Sequence, residues 1–188
     1  MKVAVYCSAK DVIPEEYLQL GDTLGTWLAQ HEHTLVYGGA TGGLMTRISN
    51  AVRAAGGYVI GVVPEHVIRV GRLADNCNKL YKVPTMSRRK QKMKDLADCF
   101  VCLPGSYGTL DEMFDVIAGG TVGEHNKPIF ILNYKEFYEG IKVEAEHMRT
   151  LNFLPQRDAY APIFVDSIDD LYTCITNFKN KYYEPIHG

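Results

Sequence analysis

A chain of 188 residues with 46% hydrophobic and 22% charged side chains has enough apolar content to bury a core, which excludes an intrinsically disordered protein. Lysine and arginine number 20 against 22 aspartates and glutamates, a formal charge of −2 with a pI near 6.3. That balance argues against nucleic acid or an anionic membrane as the main partner, and no apolar run approaches the ~18 residues of a membrane helix.

The length fits a single domain over residues 1–188. Met1 to Tyr6 turns polar too soon for a signal peptide. The five cysteines, at 7, 77, 99, 102 and 174, are odd in number and scattered, an expectation of reducing cytoplasm rather than a disulfide framework.

In chain order, Val3–Cys7 reads as a compact apolar strand. A helix follows from Pro14 to Gln30, with Leu20, Leu24, Trp27 and Leu28 near helical spacing and Pro14 suited to the first turn. Thr34–Tyr37 is a strand, Leu44 to Ala55 a helix stopped by Gly56-Gly57, and Tyr58–Val63 a strand ended by Pro64. The stretch from Glu65 to Lys79 reads as irregular, Leu80–Val83 as a short strand, and Met86 to Ala97 as a helix. Then come a strand at Cys99–Leu103, a helix at Tyr107 to Ala118, a strand at Pro128–Leu132, a helix at Lys135 to Arg149, and a last helix at Ser167 to Phe178 with Ser167 as cap.

Strands alternating with helices of this length imply βαβ units and a parallel sheet. Runs such as Val59 to Val63 and Ile129 to Leu132 are apolar on both faces, as a sheet covered on both sides requires. The expected fold is α/β: a doubly wound, Rossmann-like parallel sheet with helices on both faces. Cys99 and Cys102 lie three apart on a strand and so face opposite sides, which suits buried core thiols better than redox or zinc chemistry. No metal site and no cofactor is expected.

In such a fold ligands bind just beyond the carboxyl ends of the strands. The first of these loops, Cys7 to Asp11, has no glycine, which argues against a dinucleotide fingerprint; Ser8 there is either a ligand donor or a turn residue. The second, Gly38-Gly39-Ala40-Thr41-Gly42-Gly43, has four glycines in six residues ahead of a helix, a pattern that lets backbone N–H groups face an anion or lets strand and helix pack closely. The richest is Pro104-Gly105-Ser106-Tyr107-Gly108-Thr109 followed by Leu110-Asp111-Glu112, where two glycines, two hydroxyls and a helix start suggest a phosphate cradle. Glu112 has two readings. Thr109 to Glu112 matches a capping box, and a carboxylate beside a phosphate cradle also suits catalysis. On the helix from Met86, periodicity places Arg89 and Lys90 on the same stripe as Met86, Met93, Leu96 and Ala97. A cation on an apolar stripe requires a partner, either a carboxylate or a ligand phosphate.

Met86-Ser87-Arg88-Arg89-Lys90 matches an MxxRK motif, and Pro104 to Glu112 is similar to PGGxGTxxE. Together they resemble the signature pair of the LOG (Lonely guy) family, cytokinin riboside 5′-monophosphate phosphoribohydrolases often labelled possible lysine decarboxylases. The likeness runs from Val3 to about Leu151, with Gly39 and Gly43 at the family's first glycine-rich loop. The resemblance implies hydrolysis of the N-glycosidic bond of a purine nucleoside 5′-monophosphate to free base and ribose 5-phosphate. It implies Arg89 and Glu112 as the catalytic pair, and Met86, Lys90, Gly105, Ser106, Tyr107, Gly108, Thr109 and Asp111 around the nucleotide. It further implies a homodimer. The chain departs from the pattern at Ser106, which replaces the second glycine of PGG, at Thr46, at Ala118 to Gly123, and near Gly71, where many plant members carry a glutamate. Base preference therefore stays open between a cytokinin nucleotide and AMP. A carrier of nucleotide or molybdenum cofactor, without catalysis, is the alternative for this fold.

Overall fold

The computed structural model describes residues 1–154 and 160–183. Seven strands form one sheet: β1 (Lys2–Tyr6), β2 (Thr34–Tyr37), β3 (Tyr58–Pro64), β4 (Lys79–Val83), β5 (Cys99–Cys102), β6 (Ile129–Leu132) and β7 (Ile163–Val165). Their order is β4-β3-β2-β1-β5-β6-β7, and each neighbouring pair runs parallel. β1 is central, with Val3 opposite Leu35 on one side and Ala4 opposite Phe100 on the other. The helices are α1 (Glu15–Gln30), α2 (Gly43–Ala54), α3 (Glu65–Arg69), α4 (Met86–Leu96), α5 (Tyr107–Thr121), α6 (Glu139–Thr150) and α7 (Ile168–Tyr183).

The pleat sorts side chains into two cores. Val3, Val5, Cys99, Val101, Phe130 and Leu132 face one core, closed by Leu24 and Leu28 of α1, Ile48 of α2 and Ile175 of α7. Ala4, Tyr6, Phe100, Cys102, Ile129 and Ile131 face the other, closed by Met93 of α4 and by Met113 and Val116 of α5. Cys99 and Cys102 thus belong to opposite cores, and both are free, buried thiols. The doubly wound sheet expected from the sequence is the fold found.

Three local readings need correction. The stretch after Pro64 is not wholly irregular, because Glu65–Arg69 makes a helix too short to show periodicity. The three-residue β7 went unread for the same reason. The helix expected from Lys135 begins at Glu139 instead. Asn133 Oδ1 accepts the Tyr138 N–H at 2.7 Å, and a 3-10 turn fills Tyr134–Glu136. A side-chain acceptor of this kind offers the backbone an alternative to helix. The Ser167 cap is present, its hydroxyl accepting the Asp170 N–H at 3.1 Å.

Candidate functional site

The chain winds from β1 outward to β4, then returns to β5 on the other side of β1. The loops leaving β1 and β5 therefore diverge, and a crevice opens beyond their carboxyl ends, the place where ligands bind in open α/β sheets. The two loops are joined at their base, where the Ser8 N–H donates to Pro104 O at 3.2 Å. Ser8 itself is buried, and its hydroxyl accepts the Lys10 N–H at 3.1 Å, so this serine shapes a turn.

Arg89 of α4 and Glu112 of α5 meet in this crevice, Arg89 Nη2 donating to Glu112 Oε1. Both are buried, Glu112 with only 2% of its surface exposed. The sequence question about the cation on the apolar stripe is answered in part by this carboxylate. Met86 Sδ accepts from Arg89 Nη1 at 3.7 Å, and Gly38 lies so close that a Cβ there would stand 3.1 Å from Arg89 Nη2. Arg89 Nε is buried and has no acceptor among the described residues. Burial pushes the Glu112 carboxyl above its ordinary pKa, with Arg89 opposing the shift. Tyr6, at the end of β1, sits within the field of the pair; burial first, then the Glu112 and Asp115 charges, holds its phenol well above the usual value.

The capping-box reading of Glu112 fails. α5 begins at Tyr107 with Ser106 as its N-cap residue, so Thr109 lies inside the first turn and Glu112 is too far along the helix to close the box. The Ser106 side chain makes no capping hydrogen bond. The first N–H groups of α5 therefore have no side-chain acceptor among the described residues, at the positive end of the helix dipole. Gly105 is required by close approach, since a Cβ there would fall 2.0 Å from Thr109 Oγ1, and Thr109 is buried. Gly108 is different. Its φ is not positive, and a Cβ there would meet nothing within 4 Å. Ser106 and Gly108 are exposed, and Tyr107 is 89% exposed. Lys90 Nζ reaches Asp111 Oδ1 at 2.8 Å and Asp115 Oδ1 at 3.4 Å, so these two predicted site residues face each other across α4 and α5.

The other glycine-rich loop is already occupied. Asp11 Oδ1 accepts the Gly43 N–H at 2.8 Å, and Thr46 Oγ1 accepts the Gly42 N–H at 2.7 Å. Arg72 Nη2 donates to Ala9 O at 3.0 Å and Thr41 O at 2.7 Å, strapping the loop to the one after β1. Gly43 has φ +48, and a Cβ there would fall 2.3 Å from Lys10 O. Gly39 has φ +63 and packs against β3, 3.1 Å from the Val62 nitrogen at the Cβ position. Both glycines serve close packing in this structure, and the Gly43 amide is not free for an outside anion. Sequence reasoning named Thr46 only as a departure from the family pattern and gave Asp11 and Arg72 no role, because all three hold backbone groups that no residue spacing reveals.

Comparison with known proteins decides the family. A family model described as "Possible lysine decarboxylase" matches residues 45–175. A cytokinin riboside 5′-monophosphate phosphoribohydrolase from Mycobacterium marinum is 35% identical over 168 residues, covering 89% of each chain. The chain belongs to the LOG family. A second member, named for the same activity in Rhodococcoides fascians, is 37% identical over 81% of this chain and 77% of its own. The molybdenum cofactor binding protein of Rippkaea orientalis shares the fold with a TM-score of 0.71, at 18% identity over 94% of this chain and 95% of that one. Among the described residues no helix is long and apolar enough to cross a membrane, and no cluster of three metal-binding side chains occurs.

Proposed function

We propose that this LOG-family chain hydrolyses the N-glycosidic bond of a purine nucleoside 5′-monophosphate, giving free base and ribose 5-phosphate. The observation that carries the reading is the buried Arg89–Glu112 pair at the switch point, beside a helix N-terminus with no side-chain cap. Loss of the base builds positive charge on the ribose, and a carboxylate beside it stabilises that charge and orients or deprotonates the attacking water. Glu112 supplies the carboxylate. Arg89 aims it, its Nη2 donating to the carboxylate. The phosphate rests on the N–H groups of Tyr107, Gly108 and Thr109, so binding energy remote from the reacting carbon fixes its position.

Decarboxylation of an amino acid fits less well. A pyridoxal-type cofactor needs a lysine free to form a Schiff base, and the three lysines of α4 are engaged: Lys90 with Asp111, Lys94 with Asp115 at 2.9 Å, and Lys92 over the Tyr81 ring, 4.5 Å from its centroid. A cofactor carrier needs no buried catalytic carboxylate, so Glu112 favours the enzyme. The homodimer belongs to the same proposal. A groove of about 950 Å³ between α5 and α6 exposes Phe114 and Val143, at 46% and 59%, and α5 carries it next to the site. A reducing cytoplasm belongs to the same proposal, and the five free thiols support it.

The test incubates the full chain with AMP and, separately, with a cytokinin riboside 5′-monophosphate, and follows free base by chromatography. Base and ribose 5-phosphate should appear in equal amounts over many turnovers. Stoichiometric binding without release would overturn the hydrolase and favour the carrier.

A further inference from the structure

Just beyond β6, Asn133 is buried and acts as a hub. Its amide donates to Glu139 Oε2 at 2.8 Å and to Asp166 Oδ1 at 3.4 Å, and its carbonyl accepts the Tyr138 N–H at 2.7 Å. The turn it closes holds Lys135 at φ 51 and Glu136 at φ 60, two successive non-glycine residues in the left-handed region. Such a conformation persists only where the surroundings over-determine it, and it is concentrated at functional sites. What the turn delivers is Tyr138. The ring is buried against Phe137, and the hydroxyl reaches β5, donating to Leu103 O at 2.9 Å. Cys102 Sγ lies 3.6 Å from the same phenolic oxygen. Pro104 O, the next carbonyl along the chain, accepts the Ser8 N–H. The two carbonyls that lead into the start of α5 are thus both held.

We infer that Tyr138 is a positioning residue for the phosphate cradle: its hydroxyl fixes the Leu103 carbonyl, just ahead of Pro104 and Gly105, and so aims the first N–H groups of α5. The inference deepens the proposed function and rests on its placement of the phosphate at residues 107–109. The phenylalanine variant keeps the ring and the core contact, and it removes only the hydroxyl that donates to Leu103 O.

The experiment compares the full-length chain with Tyr138→Phe by calorimetry, using AMP and adenosine as probes, and by steady-state kinetics. AMP affinity should fall about tenfold, the effect of misaiming one charge-assisted hydrogen bond, while adenosine affinity stays the same. KM should rise with little change in kcat. A merely structural role would lower the active fraction, changing kcat and leaving KM alone. Unchanged AMP affinity, or a parallel loss for AMP and adenosine, would overturn the inference. Wild-type binding of AMP without base release would overturn the hydrolase alone and leave this comparison decisive. No AMP binding by the wild type would overturn both.

Discussion

The loop from Gly38 to Gly43 and the loop from Pro104 to Gly108 both run from a central strand into a helix, and both are rich in glycine. At α2 the chain supplies its own acceptors: the Asp11 carboxylate takes the Gly43 N–H, the Thr46 hydroxyl takes the Gly42 N–H, and Arg72 ties the loop down. At α5 no side chain caps the helix, and the buried Arg89–Glu112 pair stands beside it. A glycine-rich helix start is an anion site only where the protein leaves its donors unspent. Local sequence encodes the loop; whether the donors are spent depends on residues elsewhere in the chain.

The largest expected effect falls on the α5 side. Glu112→Gln should lower base release by at least ~100-fold, the lower end of general acid–base contributions, with AMP affinity within a few-fold of wild type. The neutral amide still accepts from Arg89 but leaves its charge unpaired, and breaking a buried pair costs up to about 3–5 kcal/mol, so turnover is scored per molecule competent to bind AMP. Retained turnover would move the carboxylate elsewhere, with Asp111 and Asp115 nearest. The pH profile sharpens the assignment. Glu112 acts ionised, and burial raises its pKa, so the acid limb of kcat/KM should lie above the ordinary carboxylate range. The sign for folding is opposite. A folded pKa above the unfolded one gives stability that is fully present below the unfolded value and is lost as pH rises through the folded value. Activity should therefore rise with pH over a window in which this group's contribution to stability falls.

Next come two glycines, one from each loop. Gly108→Val meets no protein atom within 4 Å at Cβ and needs no positive φ, so the fold should tolerate it. The side chain then stands where the phosphate is proposed to rest, and AMP affinity should fall by about tenfold or more. Gly43→Ala meets Lys10 O at 2.3 Å with φ +48. Left-handed backbone costs roughly 1–2 kcal/mol and overpacking about 1–3, so its loss should appear as a lower melting temperature of about 5–15 °C. If Gly43→Ala stays stable yet loses AMP, or Gly108→Val unfolds, the contrast between the loops collapses.

Much of this was legible in the sequence. The two-faced strands gave the sheet, and the MxxRK and PGSYGT segments gave Arg89 and Glu112, because period and motif are local. Glu112 could not be resolved from Thr109 to Glu112 alone, since a capping box depends on where the helix starts, and it starts at Tyr107. Asp11 and Tyr138 were invisible for another reason. Their partners, Gly43 and Leu103, lie 32 and 35 residues away in sequence and are backbone groups, which leave no mark on residue type.

The smallest effect tests the silent loop. Asp11→Ala empties the Gly43 N–H, and losing a helix-capping acceptor costs typically about 1 kcal/mol. For a chain of this size that is a drop in melting temperature of roughly 2–4 °C. The exposed amide becomes a free donor at the start of α2, so both glycine-rich loops then lead into a helix start with an unspent amide. If the phosphate sits at α5, AMP affinity should stay within twofold, and any new anion site should show as protection by inorganic phosphate alone. A tenfold loss of AMP affinity in a folded Asp11→Ala protein would mean that Asp11 organises the substrate site itself. The two loops would then be halves of one cradle, and the carboxylate at α2 would be part of the ligand's own surroundings.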